Sequence, residues 1–245
     1  MRLFLKLFLL SGLMLLALSW WRSHALPERS QLLAALQDEP DQRAIHTQAF
    51  QATAGGIDYT VQPLYRYDLY GLVVSRHNAD TWWDFIHRES NDVLNITDLC
   101  VVWGNNIRSE VYRQLKYWSG QFTCFVQADT AEVAAAFDMA ALSNNHLLTE
   151  RGALAKLMRH VEVGDQIHFR GYLAEYSHNH GFAFHRGTST TRTDTGNGAC
   201  ETVYVEDFEI LRQGGQPWRS LRWVAVLMLV GGVLGWFMQP VRFND

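Results

Sequence analysis

The sequence predicts an α+β domain flanked by two membrane-spanning helices. A charge-free apolar run begins near the N-terminus, and a second one occupies residues 223–241. Between them, several short runs alternate apolar and polar residues, as strands do. No internal repeat and no low-complexity tract interrupts these runs. We therefore expect a mainly antiparallel, barrel-like or sandwich sheet with short helices.

Composition limits the classes of function. Of the 245 residues, 48% are hydrophobic and 19% are charged, a balance that membrane segments would produce. The formal net charge of −4 gives no overall positive field, so nucleic acid is not an expected partner. The expected partner is the lipid bilayer, and no cofactor is expected.

Residues 1–25 are predicted to form a signal-anchor or a transmembrane helix. Basic residues precede the apolar run 7–21, as in the positively charged start of a signal sequence. The small residues at 23–25 resemble a cleavage site, so a cleaved signal peptide stays an alternative. The pair Trp20-Trp21 is typical of a membrane interface and favours an uncleaved anchor.

A second transmembrane helix is predicted at residues 220–241. Residues 223–241 carry no charge over the length that a bilayer requires. Gly231 and Gly235 have the GxxxG spacing that lets two helices approach closely. A membrane-protein partner or a homodimer through these glycines is therefore one hypothesis. The alternative is that glycine is simply common in membrane helices.

The charges that flank the two helices disagree about orientation. Basic residues such as Arg212, Arg219 and Arg222 favour a cytoplasmic central domain. The signal-like first segment favours the opposite arrangement, and the first helix usually dominates. We therefore expect the bacterial inner (cytoplasmic) membrane, with both termini in the cytoplasm and a periplasmic central domain.

Residues 26–56 are predicted to be a tether, because they are polar and rich in Ala and Gln, and residues 57–211 to be the extracytoplasmic α+β domain. Thr130 fits the N-cap of a helix at 130–139, and residues 154–160 resemble another helical turn. Strands are predicted at residues 57–63, 69–74, 99–103, 121–127, 166–172 and 202–210.

Clustered histidines suggest a metal site that we consider and do not favour. His178 and His180 point to the same side of an extended segment, and His185 follows five residues later. With Cys200 or Asp194 they could complete a tetrahedral set. Turn residues surround them, however, so a solvent-exposed hairpin tip is the preferred interpretation and no metal is expected.

Three cysteines leave at least one thiol unpaired within the monomer. Cys100 and Cys124 lie in predicted strands, and a disulfide between them is possible if these strands are neighbours in an oxidising compartment. Cys200 is then the odd thiol. A dyad of Cys200 with His146 is a nucleophilic alternative. A cysteine at a strand start is more often a small buried hydrophobe or half of a disulfide.

The loop at residues 186–201, RGTSTTRTDTGNGACE, is the strongest candidate site. It combines hydroxyls, charges of both signs and glycines that permit positive φ, and it could present backbone amides to an anion. The structural alternative is a self-satisfied loop in which Arg192 pairs with Asp194 or Glu201. The candidate residues of this motif loop, with His146, are Ser189, Arg192, Asp194, Gly196, Gly198, Cys200 and Glu201.

Several segments resemble one family. The run S-T-T-R-T-D-T-G-N-G-A-C-E at 189–201, with V-Y-V-E at 203–206 and D-L-C-V-V-W-G at 98–104, is similar to a family of uncharacterised bacterial membrane-anchored proteins. The likeness covers residues 65–211. It implies an N-terminal hydrophobic segment joined to one such domain, and it implies no activity. The second membrane helix and the His-rich segment depart from the family pattern.

Two classes of function stay open, and with them the question whether the protein is an enzyme. The leading hypothesis is a non-enzymatic binding or assembly module of the cell envelope. The alternative is a hydrolase or transferase that acts on envelope material through Cys200, His146 and Asp194. A cleft joining His146 to Cys200 or Asp194 would favour the enzyme, whereas a motif loop packed tightly on a sheet would favour the binding module.

Overall fold

A computed structural model describes residues 2–191, 193–194 and 200–239 of the chain. The chain forms two compact units. The two ends of the chain build a membrane-helix unit, and Pro27–Gln213 build the central domain.

Two helices, α1 (Arg2–Ser23) and α6 (Trp218–Phe237), make up the membrane-helix unit. Both are long and apolar enough to cross a bilayer, so the chain has two candidate membrane-spanning helices. By length and composition alone, this agrees with the predicted anchor and transmembrane segments and suggests a membrane protein.

Glycines of α6 differ in how they meet α1. A methyl group on Gly232 would lie 2.5 Å from Leu9 Cδ2, so the helices approach where glycine has no side chain. Gly235 lies near Leu5. At Gly231 a methyl group would have no described atom within 4 Å. The contact between α1 and α6 therefore uses Gly232 and Gly235, and Gly231 is the member of the GxxxG pair that stays open.

The central domain is built on a curled sheet, with a separate two-stranded hairpin and short helices. The strands of the sheet are β1 (Asp41–Ala44), β2 (Phe50–Ala54), β3 (Ile57–Asn78), β4 (Asn95–Val102), β7 (Leu142–Leu148), β8 (Gln166–His178), β9 (Phe184–Arg186) and β10 (Cys200–Arg212). The hairpin is β5 (Leu115–Gly120) and β6 (Thr123–Ala128). The helices are α2 (Ile86–Glu89), α3 (Gly104–Ser109), α4 (Ala131–Ala136) and α5 (Gly152–Arg159).

Five strands of the sheet pair in a ring. The long strand β3 pairs with β4 on one side and with β8 on the other. β4 pairs with β7, β7 pairs with β10, and β10 pairs with β8, which completes the ring. Only the β7–β10 pair among these is parallel. Because β1, β2 and β9 extend the edges, the sheet is barrel-like without being a simple barrel. The predicted fold class is confirmed.

Local sequence explains how the ring curls. The two predicted strands at 57–63 and 69–74 are one continuous strand, β3, whose register shifts just after Pro63. A proline inside a sheet is expected at such an irregularity, because it lacks the N–H that the ladder needs. On β8, a methyl group at Gly171 would lie 2.0 Å from the Tyr204 carbonyl oxygen. Glycine is therefore required where β10 approaches β8.

The inside of the ring is an apolar core. Phe169 and Leu173 of β8, Val203 of β10 and Leu147 of β7 are all fully buried there. The amphipathic helix α5 adds Met158 to this core. Apolar residues at alternate positions of strands and on one helix face therefore bury together, as the sequence pattern predicts.

The segment 26–56 is not the tether that the composition predicts. β1 and β2 both pair with β3, and Leu36, in the 3-10 turn Ala34–Gln37, is fully buried. The segment belongs to the same compact unit as the rest of the central domain. Polar composition was a poor guide here, because an edge strand exposes most of its side chains and still hydrogen-bonds through its backbone.

The hairpin β5–β6 is attached to the ring by a disulfide. Cys100 of β4 bonds to Cys124 of β6, with the two Cα atoms 5.8 Å apart. β4 and β6 belong to different sheets, so the disulfide joins two strands that are close in space but are not paired by backbone hydrogen bonds. Leu99 and Val101, on either side of Cys100, belong to the core, so the bridge lies on the opposite, outer face of β4.

Candidate functional site

Strand β7 brings polar residues into the interior of the domain. Its sequence LSNNHLL reads as a polar segment, and we did not predict a strand there. In the structure it lies between β4 and β10, and Asn144 and His146 are buried on the face opposite to Leu147. Buried polar groups need partners. The partners of His146 identify the candidate site.

His146 is held between a carboxylate and a guanidinium. Its Nδ1 lies 2.6 Å from Asp98 Oδ1, and its Nε2 lies 2.5 Å from Arg186 Nη2. Asp98 Oδ2 also accepts the backbone N–H of Phe122, at 3.2 Å. Because an arginine N–H can only donate, His146 Nε2 must be the acceptor and Nδ1 must carry the proton. His146 is therefore a neutral imidazole in this arrangement.

The hydrogen bonds continue from Asp98 to two further histidines. Asn95 Nδ2 donates to Asp98 Oδ1 at 3.0 Å and to His87 Nε2 at 2.8 Å. His87 Nδ1 and His77 Nε2 each lie 2.5 Å from the same oxygen, Asp84 Oδ2. We call His77, Asp84, His87, Asn95, Asp98 and His146 the buried chain; all six are at most 3% exposed.

Burial and pairing shift the pKa values in the buried chain. Burial lowers the pKa of His146 and Arg186 adds to this, although the Asp98 carboxylate opposes it. Burial raises the pKa of Asp98, but the pairing with His146 and the hydrogen bond from Asn95 outweigh it and lower the pKa to about 2. Both directions agree with a neutral imidazole and a charged carboxylate.

A cleft of about 730 Å³ lies beside this chain. It is bordered by the start of β6, the start of β7 and the motif loop, and Arg186 is in its wall. Phe122, Phe125 and Met139 provide apolar lining, and Phe125 and Met139 are largely exposed. The polar and charged lining residues include Asp138, Ser143, Asn144, Arg186, Thr191, Thr193, Asp194 and Glu201.

Cys200 lies in the cleft wall, but its surroundings are those of a neutral thiol. Its Sγ is 3.6 Å from Asn144 Nδ2 and 3.9 Å from the Phe122 carbonyl oxygen. Burial raises the pKa of the Cys200 thiol, although the hydrogen bond from Asn144 opposes this. His146 directs its Nε2 to Arg186. The structure thus brings Cys200 near His146 without forming the bond that a nucleophilic dyad requires.

The motif loop has internal bonds where it is described. Ser189 Oγ donates to Asp194 Oδ2 at 2.6 Å, and the Ser189 N–H donates to the Cys200 carbonyl. Glu201 is buried and lies in the cleft wall. Arg192, Gly196 and Gly198 lie outside the described residues, so the predicted pairing of Arg192 with Asp194 or Glu201 stays a prediction.

The histidines that suggested a hairpin tip do not share one environment. His178 is buried, donates its Nε2–H to the Ser90 carbonyl oxygen at 2.9 Å, and stacks on Phe184. His180 and His185 are exposed. The solvated tip is therefore wrong for His178, because β8 continues through it and packs it against the neighbouring strand β9.

Most residues of the buried chain were not predicted from the sequence. His77, Asp84 and His87 have ligand atoms within 4.8 Å of one another, a grouping that metal sites share. The available signal was the spacing of His77, Asp84 and His87 within eleven residues. It crosses from the end of β3 to α2, and neither a strand nor a helix pattern predicts the turn between them. Arg186 is the first residue of the motif loop, but it was not among the candidate site residues.

The fold and the site define a class: an α+β domain that carries a cleft of mixed polar and apolar lining and that lies, in sequence, between two candidate membrane-spanning helices. Comparisons with protein-family models, curated proteins and solved structures give no match. The family resemblance of the motif loop accordingly stays a prediction.

Proposed function

We propose that the protein is a membrane-anchored binding module of the bacterial cell envelope, and that the cleft beside the motif loop is its ligand site. The observation that carries this proposal is the cleft itself, which is large enough for a small molecule. Segments far apart in sequence converge on it, from Phe122 to Glu201, and they combine apolar surface with a few polar groups. That combination is typical of small-molecule sites.

The strand order gives independent support by analogy. A ring of five strands with one parallel pair and a helix between the third and fourth ring strands resembles the OB-type barrel, a partly open Greek-key arrangement. Barrels of that type bind ligands on a strand face and through loops that include the one between strands four and five. Here that connection, between β8 and β10, contains most of the motif loop. Fold analogy alone does not assign a ligand.

The proposed location is the inner membrane, with the central domain in the periplasm. The Cys100–Cys124 disulfide supports an oxidising compartment. Because the domain is inserted between α1 and α6, both termini lie on one side if both helices span. A reporter fused after Asp245 should be active in the cytoplasm, and one inserted near Pro40 should be active in the periplasm. The opposite labelling would refute this orientation.

The alternative, a hydrolase or transferase using Cys200, His146 and Asp194, is less well supported. Cys200 and Asp194 line the cleft, which is one part of the arrangement that would favour an enzyme, a cleft joining them to His146. However, His146 is fully buried and its Nε2 already accepts from Arg186. A thiol with a raised pKa and no base bonded to it is a poor nucleophile.

A cleft-filling variant tests the binding function. Full-length protein in lipid nanodiscs would be incubated with an envelope extract and analysed by native mass spectrometry for a bound small molecule. Ala140→Trp places a large ring in the cleft wall and should remove the adduct. Ala134→Trp is the matched control, because Ala134 is exposed on α4 and does not line the cleft. Equal adducts in the two variants would refute the cleft as the site.

A further inference from the structure

We propose that Arg186 binds an oxyanion, a carboxylate or a phosphate group of the ligand, and that the buried chain positions its guanidinium for this contact. The inference rests on the proposed function of the cleft and names the chemistry of its ligand. It assigns Arg186 as a binding residue, and it assigns His146 and Asp98 as positioning residues.

The surroundings of Arg186 leave its charge available. The half-buried guanidinium lies over the Phe122 ring, with Cζ 3.9 Å from the ring centroid, and gives one N–H to His146. Among the described residues, no carboxylate forms an ion pair with it. The residues at 192 and 195–199 include no Asp or Glu. The buried Asp92 interacts with Arg186 only beyond ion-pair distance, and its carboxylate accepts the Tyr176 hydroxyl at 2.6 Å. A partly desolvated arginine without a carboxylate in direct contact among the described residues is suited to one supplied by a ligand.

The acidic residues in the cleft wall, Asp138, Asp194 and Glu201, form no ion pair with Arg186. Asp194 accepts the Ser189 hydroxyl, and Asp138 accepts the backbone N–H of Ala140 at 3.0 Å. Each therefore stabilises its own loop. An arginine has five N–H donors in a planar fork, and only one is used by His146. The remaining donors match the two oxygens of a carboxylate or phosphate.

The buried chain fixes where that fork lies. Every link has one donor and one acceptor: Arg186 to His146, His146 to Asp98, Asn95 to Asp98 and to His87. Asp98 accepts from His146 and from Asn95, and Asp84 accepts from His87 and from His77. The donor and the acceptor of each hydrogen bond are therefore fixed. Without the Asp98 carboxylate, which accepts the Nδ1 proton, the His146 ring could adopt the tautomer that is protonated at Nε2. That Nε2–H would then repel the Arg186 N–H.

The same donor order argues against the alternative, a metal ion held by His77, Asp84 and His87. The Asn95 amide nitrogen, Nδ2, can only donate, and its two protons go to Asp98 Oδ1 and to His87 Nε2. His87 must then carry its proton on Nδ1, the atom that faces Asp84. A metal bound to that nitrogen would require the reverse tautomer. Metal content is accordingly an outcome of the test.

The binding experiment uses three probes with the same short tail: hexanoate, hexyl phosphate and hexan-1-ol. Calorimetric titration of the full-length protein in nanodiscs, with empty nanodiscs subtracted, should detect at least one of the two anions and not the alcohol. Arg186→Gln should lower the affinity for that anion by about tenfold or more, which is the loss expected when a charged hydrogen bond is removed. Arg186→Lys should give an intermediate loss, because it keeps the charge without the fork.

Arg170→Gln is the matched control, since Arg170 is an exposed arginine of the same domain that pairs with Asp207. It should leave the affinity unchanged. The relative affinities of hexanoate and hexyl phosphate identify the head group. The proposal is overturned if neither anion binds, if hexan-1-ol binds as well as the anions, or if Arg186→Gln equals the wild type. If Ala140→Trp still removes the extract-derived adduct, the cleft function survives that result.

The positioning role has a spectroscopic readout on the wild type. Solid-state NMR of the ¹⁵N-histidine-labelled protein, assigned with His146→Gln, should find His146 protonated at Nδ1 only. Asp98→Asn should give a mixture of the two His146 tautomers and lower the affinity for the anion severalfold, while the protein stays folded. A wild-type His146 protonated at Nε2 would overturn the chain. So would stoichiometric zinc in the purified protein together with an unprotonated His87 Nδ1.

Discussion

The two faces of β4 and β7 are both buried, yet they are stabilised in opposite ways. The inner face places Leu99, Val101 and Leu147 in the apolar core. The outer face places Asp98 and His146 under the hairpin β5–β6, where hydrogen bonds replace apolar contacts. Apolar packing tolerates small shifts of many atoms, whereas a buried polar pair depends on one donor and one acceptor. The polar face is therefore the more specific of the two and the more easily broken.

The largest expected effect separates two adjacent residues of β4. Asp98→Ala removes the acceptor of His146, Asn95 and the Phe122 N–H, and breaking a buried pair of this kind costs about 3–5 kcal/mol. Leu99→Ala, on the core face, should cost about 2–4 kcal/mol through the cavity that it leaves. Urea unfolding of the full-length protein measures both. An Asp98→Ala variant within about 1 kcal/mol of the wild type would contradict the structural role of the polar face.

The next effect concerns the bridge that holds the hairpin over the polar face. The double variant Cys100→Ala, Cys124→Ala should lower the free energy of unfolding by about 3 kcal/mol, because the disulfide closes a loop with a sequence separation of 24. Cys200→Ala is the matched control and should change stability far less, since Cys200 is only partly buried and forms no disulfide. Equal losses in the two variants would show that the bridge does not stabilise the domain.

The pH dependence of stability distinguishes the two faces of β4 and β7, because the titratable side chains, Asp98 and His146, lie on the polar face. The folded-state pKa of Asp98 is about 2, below its ordinary value, so its contribution is present above about pH 4 and is lost as the pH falls towards 2. The lowered pKa of His146 acts in the same direction below about pH 6.5. The raised pKa of Asp92 acts in the opposite direction, because protonation favours its folded form.

We therefore expect the wild type to lose about 2 kcal/mol through Asp98 between pH 5 and pH 2. Asp98→Asn should remove that part of the pH dependence, whereas Leu99→Val should keep it. Urea unfolding at a series of pH values measures this. A wild-type stability that rises steadily from pH 5 to pH 2 would mean that Asp92, and not Asp98, dominates.

The smallest effect lies in the motif loop, where the polar contacts reach the surface. Asp194→Ala removes the acceptor of the Ser189 hydroxyl and should cost about 0.5–1.5 kcal/mol, because Asp194 itself is exposed. Asp207→Ala breaks only an exposed ion pair with Arg170 and should cost less than about 1 kcal/mol. Thermal denaturation compares them. If Asp194→Ala keeps the melting temperature but abolishes the bound adduct, Asp194 contacts the ligand.

Sequence reasoning found the face that follows a hydrophobic pattern and missed the one that does not. Alternation at Leu99 and Val101 predicted β4, and Thr130 correctly predicted the N-cap of α4, where its Oγ accepts from the Val133 N–H. β7 has apolar residues only at its ends, so a strand buried on both faces read as a polar segment. Partners as distant as His146 and Arg186 are set by strand order, which local pattern does not encode.

The close contact at Gly232 has a consequence for the unfolded chain. α1 and α6 adjoin the two ends of the central domain in sequence, and they pack on each other where Gly232 meets Leu9. While that helical pair persists, an unfolded central domain is a closed loop whose ends cannot separate. Its conformational entropy is smaller than that of a chain with free ends, much as a crosslink would make it. Packing in the helix pair therefore adds to the stability of the domain through the unfolded state.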